Sequence, residues 1–154
     1  FYETFSAHCD EIFVEKIVPQ WPETQADKQN DITETGMYGQ KISDWKEVCP
    51  FVFMYLHFNC DGTVSPCTLD WPRKVTIGNV KVQSVKQIWD GIQLRELQVA
   101  MLMKKRKCVN FCGSCAAPMV CVEENVDPHI KNVLSALKAT KEETMLKDNR
   151  WLKK

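Results

Sequence analysis

The sequence predicts an α+β fold. A small β-hairpin and a helix build a cysteine-lined domain, a helix–strand remnant of a partial α/β barrel precedes it, and a C-terminal helix follows. Three observations predict this. Asp61-Gly62 stands between two short runs rich in aromatic and β-branched residues, a strong hairpin signal because Gly takes positive φ without strain. Ser84-Val85-Lys86-Gln87 has the form of a capping box and opens a run with apolar residues at helical spacing. Seven of the eight cysteines fall within residues 49–121, in two loops roughly forty residues apart on either side of that helix. Thiolates from distant loops that converge on one place are how a chain wraps a metal or an iron–sulfur cluster.

The chain has 154 residues, with 20 Lys and Arg against 20 Asp and Glu. That balance predicts neither a nucleic-acid partner nor a membrane surface. No apolar run approaches the length of a membrane span, and no secretory signal is visible. The first residue is Phe1, which points to an excised fragment. A disulfide framework suits short secreted chains; clustering in C-x2-C style points instead to thiolate ligation in a reducing, cytoplasmic compartment.

Residues 1–20 read as the end of an α/β core. Phe1 and Phe5 lie at helical spacing, and residues 11–18 (Glu-Ile-Phe-Val-Glu-Lys-Ile-Val) form a strand-like run that stops at Pro19. Residues 21–48 are polar and aperiodic and read as a linker, tacked down by Trp21, Tyr38 and Trp45. A cysteine-rich domain occupies residues 49–122. Within it residues 51–59 read as a strand, Cys60-Asp61-Gly62 as the turn and Thr63-Val64-Ser65 as the return strand. A further short strand is expected over residues 74–77, a turn at Gly78-Asn79, and another strand over residues 80–82. The helix runs from Val85 to Lys104, with Gly91 as a break, and ends in the basic run Lys104-Lys105-Arg106-Lys107, read as a solvated end that complements the helix dipole. Residues 123–154 hold a C-terminal helix begun by Asp127 as N-cap and Pro128 as N1, with Ile130, Val133, Leu134 and Leu137 on one face, then a charged tail.

Zinc and an iron–sulfur cluster both accept four thiolates. A zinc ribbon presents two C-x2-C knuckles, and here there is one, Cys112-x2-Cys115. Cys108, Cys112 and Cys115 also share the C-x3-C-x2-C spacing of the radical S-adenosylmethionine motif. That motif follows the first strand of a barrel, and only 39 residues follow Cys115.

The ordered set Cys49-Pro50-Phe51, Gly62-x4-Cys67, Asp70, Ile77-Gly78-Asn79, Ile88-Trp89-Asp90-Gly91, Leu94-Arg95-Glu96-Leu97 and Cys112-Gly113-Ser114-Cys115 resembles the SPASM/twitch auxiliary-cluster domain found at the C-terminus of many radical S-adenosylmethionine enzymes. The resemblance covers residues 49–115. The twitch form implies one [4Fe–4S] cluster on Cys49, Cys67, Cys112 and Cys115. The full SPASM form implies two, with Cys60, Cys108 and Cys121 as possible second-site ligands, although Asn125 stands where a further cysteine is expected.

The resemblance implies an oxidoreductase or maturase whose missing upstream core cleaves S-adenosylmethionine. This domain is not catalytic alone; its cluster takes an electron from, or helps position, a peptide or small-molecule substrate. Backbone N–H groups around Gly113-Ser114 are expected to hydrogen-bond the sulfurs. Asp70 is the candidate general base for the departing substrate proton, against a plain turn-capping role, and His57 is the other polar group to watch. Two alternatives stay open: zinc as a substitute metal, and a zinc- or cluster-stabilised module that binds a peptide or protein.

Overall fold

The computed structural model describes residues 1–18, 35–42, 45–140 and 150–151. Three short strands, β1 (His57–Phe58), β2 (Thr63–Ser65) and β3 (Gly78–Asn79), form one antiparallel sheet in sequence order. The β1–β2 hairpin turns where expected. Gly62 has φ +88°, its N–H donates to the Asn59 carbonyl at 2.9 Å, and the Asp61 carboxylate accepts from the Thr63 N–H at 3.0 Å.

Residues 51–59 are not one strand. Pro50–Phe53 form a 3-10 turn in which the N–H groups of Met54 and Tyr55 both donate to the Phe51 carbonyl, so pairing begins only at His57. Pro50 presets φ for this turn, and the buried Gln98 amide donates to the Val52 carbonyl at 3.0 Å, holding the turn against the helix.

The third strand is also displaced. Residues 74–77 have the alternation of a strand, with Val75 and Ile77 both buried. Two of their donors go elsewhere: the Asp70 carboxylate accepts the N–H groups of Lys74 and Val75 at 2.9 and 2.7 Å, while the Ile77 N–H alone reaches β2, donating to the Val64 carbonyl at 2.8 Å. Pairing therefore falls to Gly78-Asn79, the expected turn, and residues 80–83 become the turn, closed by Val82 and Gln83 N–H donation to the Asn79 carbonyl. Gly78 is required there, because a Cβ would stand 2.7 Å from Ile88.

The capping box is complete. Ser84 Oγ accepts from the Gln87 N–H at 3.2 Å, and Gln87 Oε1 accepts from the Ser84 N–H at 2.8 Å. It opens α2 (Val85–Trp89). Gly91 then caps α3 (Ile92–Leu102), which ends before Lys104 takes a positive φ of 57°. Leu94, Leu97, Met101 and Leu102 of α3 pack with Val64, Ile77 and Ile88 to make the main core. After the short α4 (Ala117–Val120), a 3-10 turn (Asp127–His129) leads into α5 (Ile130–Ala136), whose Ile130, Val133 and Leu134 lie on the core with Leu137. Asp127 is not the N-cap. Its carboxylate accepts instead from the Glu47 and Val48 N–H groups at 2.9 and 2.8 Å, which anchors the approach to Cys49.

The N-terminal segment departs most from expectation. A four-residue helix, α1 (Tyr2–Phe5), buries nothing, and residues 11–18 enter no sheet among the described residues. Val18 is buried, Ile17 is 76% exposed, and one backbone bond, Lys16 N–H to the Met37 carbonyl, reaches across to another segment. A strand-like composition makes a strand only when another edge supplies the ladder. In the expected linker, Trp21 and the strand-ending Pro19 lie outside the described residues. Trp45 does tack its loop down, stacking on Arg106. No helix among the described residues is long and apolar enough to cross a membrane.

Candidate metal centre

Cys49, Cys67, Cys112 and Cys115 line one small cavity with Arg106 and with apolar groups that include Val52, Leu69, Phe111 and Pro118. Three separate elements deliver them. Cys49 begins the 3-10 turn after the anchored residues 47–48, and Cys67 follows β2, where the hairpin delivers it. The Cys112–Cys115 knuckle is wound by bonds from the Gly113 N–H to the Val109 carbonyl and from the Ser114 N–H to the Phe111 carbonyl. Those two donors are thus spent on the turn and not on sulfur. The donors that reach the sulfurs lie two or three residues after each cysteine: Phe51 N–H for Cys49, Leu69 and Asp70 N–H for Cys67, and Ala117 N–H for Cys115.

Burial pushes these thiols up. Cys49 rises to about 12 and Cys67 to about 11, opposed in both by the N–H donors; Cys112 rises well above 9.0, and Cys115 is raised too. The neighbouring sulfurs raise Cys49, Cys67 and Cys112 further by mutual repulsion. Four thiolates here need a cation among them, and a bound metal removes the protons outright. Among the described residues, no three His, Cys, Asp or Glu side chains stand close enough to hold a single metal ion. The four cysteines share one small cavity. A water can occupy about 20 Å³ of that space; metal–thiolate bonds of about 2.3 Å use volume that a water must leave empty. An all-thiolate donor set with aimed N–H groups in an apolar cavity fits an iron–sulfur cluster.

Residues 49–116 match the family model described as SPASM, an iron–sulfur cluster-binding domain. This segment is a SPASM domain. Iron–sulfur cluster binding follows from that membership. Comparison with curated proteins and with solved structures gave no match.

The SPASM domain turns one residue of its basic run inward. Arg106, read as part of a solvated basic end, is fully buried, while Lys104, Lys105 and Lys107 around it are exposed. Its Nη1 donates to the Cys112 and Cys115 carbonyls, both at 2.9 Å, and its Nε donates to the Lys46 carbonyl at 3.0 Å. The Trp45 ring lies 3.7 Å from the guanidinium carbon. Burial lowers the Arg106 pKa, and the Cys49, Cys115 and Cys112 sulfurs oppose that. Lys46 is buried too, donating to the carbonyls of Val122, Glu123 and Glu124. The one usable signal was an arginine set among lysines beside a cysteine loop, since only its planar fork suits several acceptors at once.

Asp70 is 3% exposed, and each of its carboxylate oxygens accepts a backbone N–H, so as built it caps the loop after Cys67. His57 sits in β1 opposite Ser65. Of the possible second-site ligands, Cys60 and Cys108 are exposed, and Cys121 lies half-buried after α4. Cys121 rises to about 12, through burial first and then through Cys115 and Glu15. Cys9 is exposed.

Proposed function

We propose that the SPASM domain holds one auxiliary [4Fe–4S] cluster on Cys49, Cys67, Cys112 and Cys115, in the twitch manner, for a radical S-adenosylmethionine enzyme. The observation that carries this reading is the single cavity lined by all four thiols, with backbone N–H groups aimed at three of them. When bound, the cluster supplies a one-electron acceptor. The chain's own residues hold it at fixed charge and exclude water: Phe111, Leu69 and Pro118 wall the cavity. Four protein thiolates leave no iron position open, which favours electron transfer over direct substrate ligation.

Cys67 also borders a second, open cleft of about 700 Å³, whose lining includes Glu15, Tyr38, Met54, Tyr55, Cys121 and Glu124. The peptide or small-molecule substrate sits there, one residue from the cluster. The cleft also supports a second reading, a metal-stabilised module that binds a peptide or protein.

Iron, sulfide and zinc stoichiometry after oxygen-free reconstitution tests both, together with an electron paramagnetic resonance spectrum of the reduced protein. One four-iron cluster per chain with a reduced-cluster signal is expected. Two clusters per chain would bring Cys60, Cys108 and Cys121 into a second site. Zinc alone, with no cluster, would overturn the reading in favour of the binding module.

A further inference from the structure

We propose that Arg106 is the counter-cation built into the cluster site, a positioning residue that raises the cluster's reduction potential while it holds the Cys112–Cys115 knuckle. The inference rests on the cluster reading above. Arg106 is 0% exposed, and every acceptor it reaches by hydrogen bond is neutral: three carbonyls at 2.9–3.0 Å and the Met119 sulfur at 3.7 Å. The Trp45 ring covers its face. Among the described residues no carboxylate forms an ion pair with it.

A guanidinium buried in this way, with no anion, is strongly unfavourable. With a cluster bound, the anions beside the guanidinium are the thiolates of the cavity that Arg106 itself lines together with Cys49, Cys67, Cys112 and Cys115. The thiolate set is therefore its charge partner. The relation is mutual: four thiolates crowded into an apolar cavity repel one another, and one fixed cation at their edge offsets this. Each electron that enters the cluster adds negative charge beside that cation. The reduced form gains more from Arg106 than the oxidised form does, so the potential rises. A lysine would keep the charge but not the fork that reaches both knuckle carbonyls and the Lys46 carbonyl. Glu47 supplies an opposing handle. It is the carboxylate acting on Arg106, and its Oε2 is buried with no hydrogen-bond partner among the described residues.

The test compares the intact chain with Arg106→Gln, Arg106→Lys and Glu47→Gln after oxygen-free reconstitution. It reads iron content and the midpoint potential from a redox titration. Arg106→Gln is expected to shift the midpoint to more negative values. Arg106→Lys stays near the parent midpoint but loses iron faster to a chelator. Glu47→Gln, which removes the offsetting carboxylate, shifts the midpoint positive. If Arg106→Gln retains no cluster, the signs for Arg106→Lys and Glu47→Gln decide the matter alone. Parent-like midpoints in both neutralised variants would reduce Arg106 to a strut and overturn the inference. So would equal negative shifts in the Lys and Gln variants. A parent chain that takes up no iron and sulfide would overturn the cluster reading itself, a different result from an unmoved midpoint.

Discussion

The two cysteine loops of the SPASM domain reach the same cavity by different means. The first, residues 49–67, is held by backbone devices: a 3-10 turn begun by Pro50, the Asp127 carboxylate on the N–H groups of Glu47 and Val48, and the Asp61-Gly62 hairpin. The second, residues 108–115, is wound around one buried side chain, Arg106, which binds the carbonyls of both Cys112 and Cys115. The first loop spreads its geometry over many local bonds. The second adds to its own backbone turn one buried side chain that also carries charge. Damage to the second loop should therefore reach the cluster more directly.

The largest effect tests the knuckle itself. Cys112→Ser should lose most of the iron and sulfide retained by the parent chain and destabilise residues 49–121, read by metal analysis and by amide hydrogen exchange. Full metal content in this variant would refute its role as a ligand.

The thiols also set an alkaline limit on the metal-free chain. Their folded-state values lie above the ordinary 9.0, at about 12 for Cys49 and about 11 for Cys67, because burial disfavours the thiolate. A raised acid is protonated in both states below 9.0, so stability there is undiminished. Above it the unfolded thiols ionise first, and stability falls as pH rises toward 11–12. Urea melts of the metal-free chain from pH 8 to 11 (roughly the span bracketed by these shifts) should show the midpoint falling. A flat profile would contradict the buried, protonated thiols. With the metal bound the trend reverses at low pH, where protons compete for the ligands and iron is lost.

Two glycine substitutions compare the loops directly. At Gly113 a Cβ would stand 2.5 Å from the Lys107 carbonyl oxygen, a backbone atom that cannot step aside. Gly113→Ala should cost about 2–3 kcal/mol and lower iron retention. At Gly62 the penalty comes from φ +88°, since the nearest atom, in the Lys81 side chain at 3.0 Å, can move. Gly62→Ala should cost about 1 kcal/mol with iron content unchanged. Equal losses in thermal melts would remove the contrast between the loops.

The smallest effect is expected outside both. Cys60→Ser, Cys108→Ser and Cys9→Ser replace exposed thiols, and each should keep the parent iron content. A halving of iron in the first two would show that they serve a second cluster.

Residues 1–18 sharpen the same lesson from outside the domain. Their strand run has the right composition, yet Phe13, Val14 and Ile17 are more than half exposed, because no neighbouring edge meets them among the described residues. Residues 74–77 fail for a different reason: Val75 and Ile77 are buried, but Asp70 takes the Lys74 and Val75 donors.

Features that rest on local chemistry are legible in the chain. The hairpin turn is one, because Asp-Gly suits positive φ. The α2 start is another, because Ser84 and Gln87 satisfy each other's N–H groups, and so are the apolar faces of α3 and α5. Spacing and family resemblance single out Cys49, Cys67, Cys112 and Cys115 as expected ligands, but spacing does not say that they share a cavity. Tertiary structure alone decided which donors face the sulfurs, why Asp70 and Asp127 cap distant backbone, and that one of four consecutive basic residues turns inward. Arg106 meets the Lys46 carbonyl 60 positions away. A contact made across that separation leaves no periodic mark in the chain, since it depends on where two segments pack and not on what stands beside them.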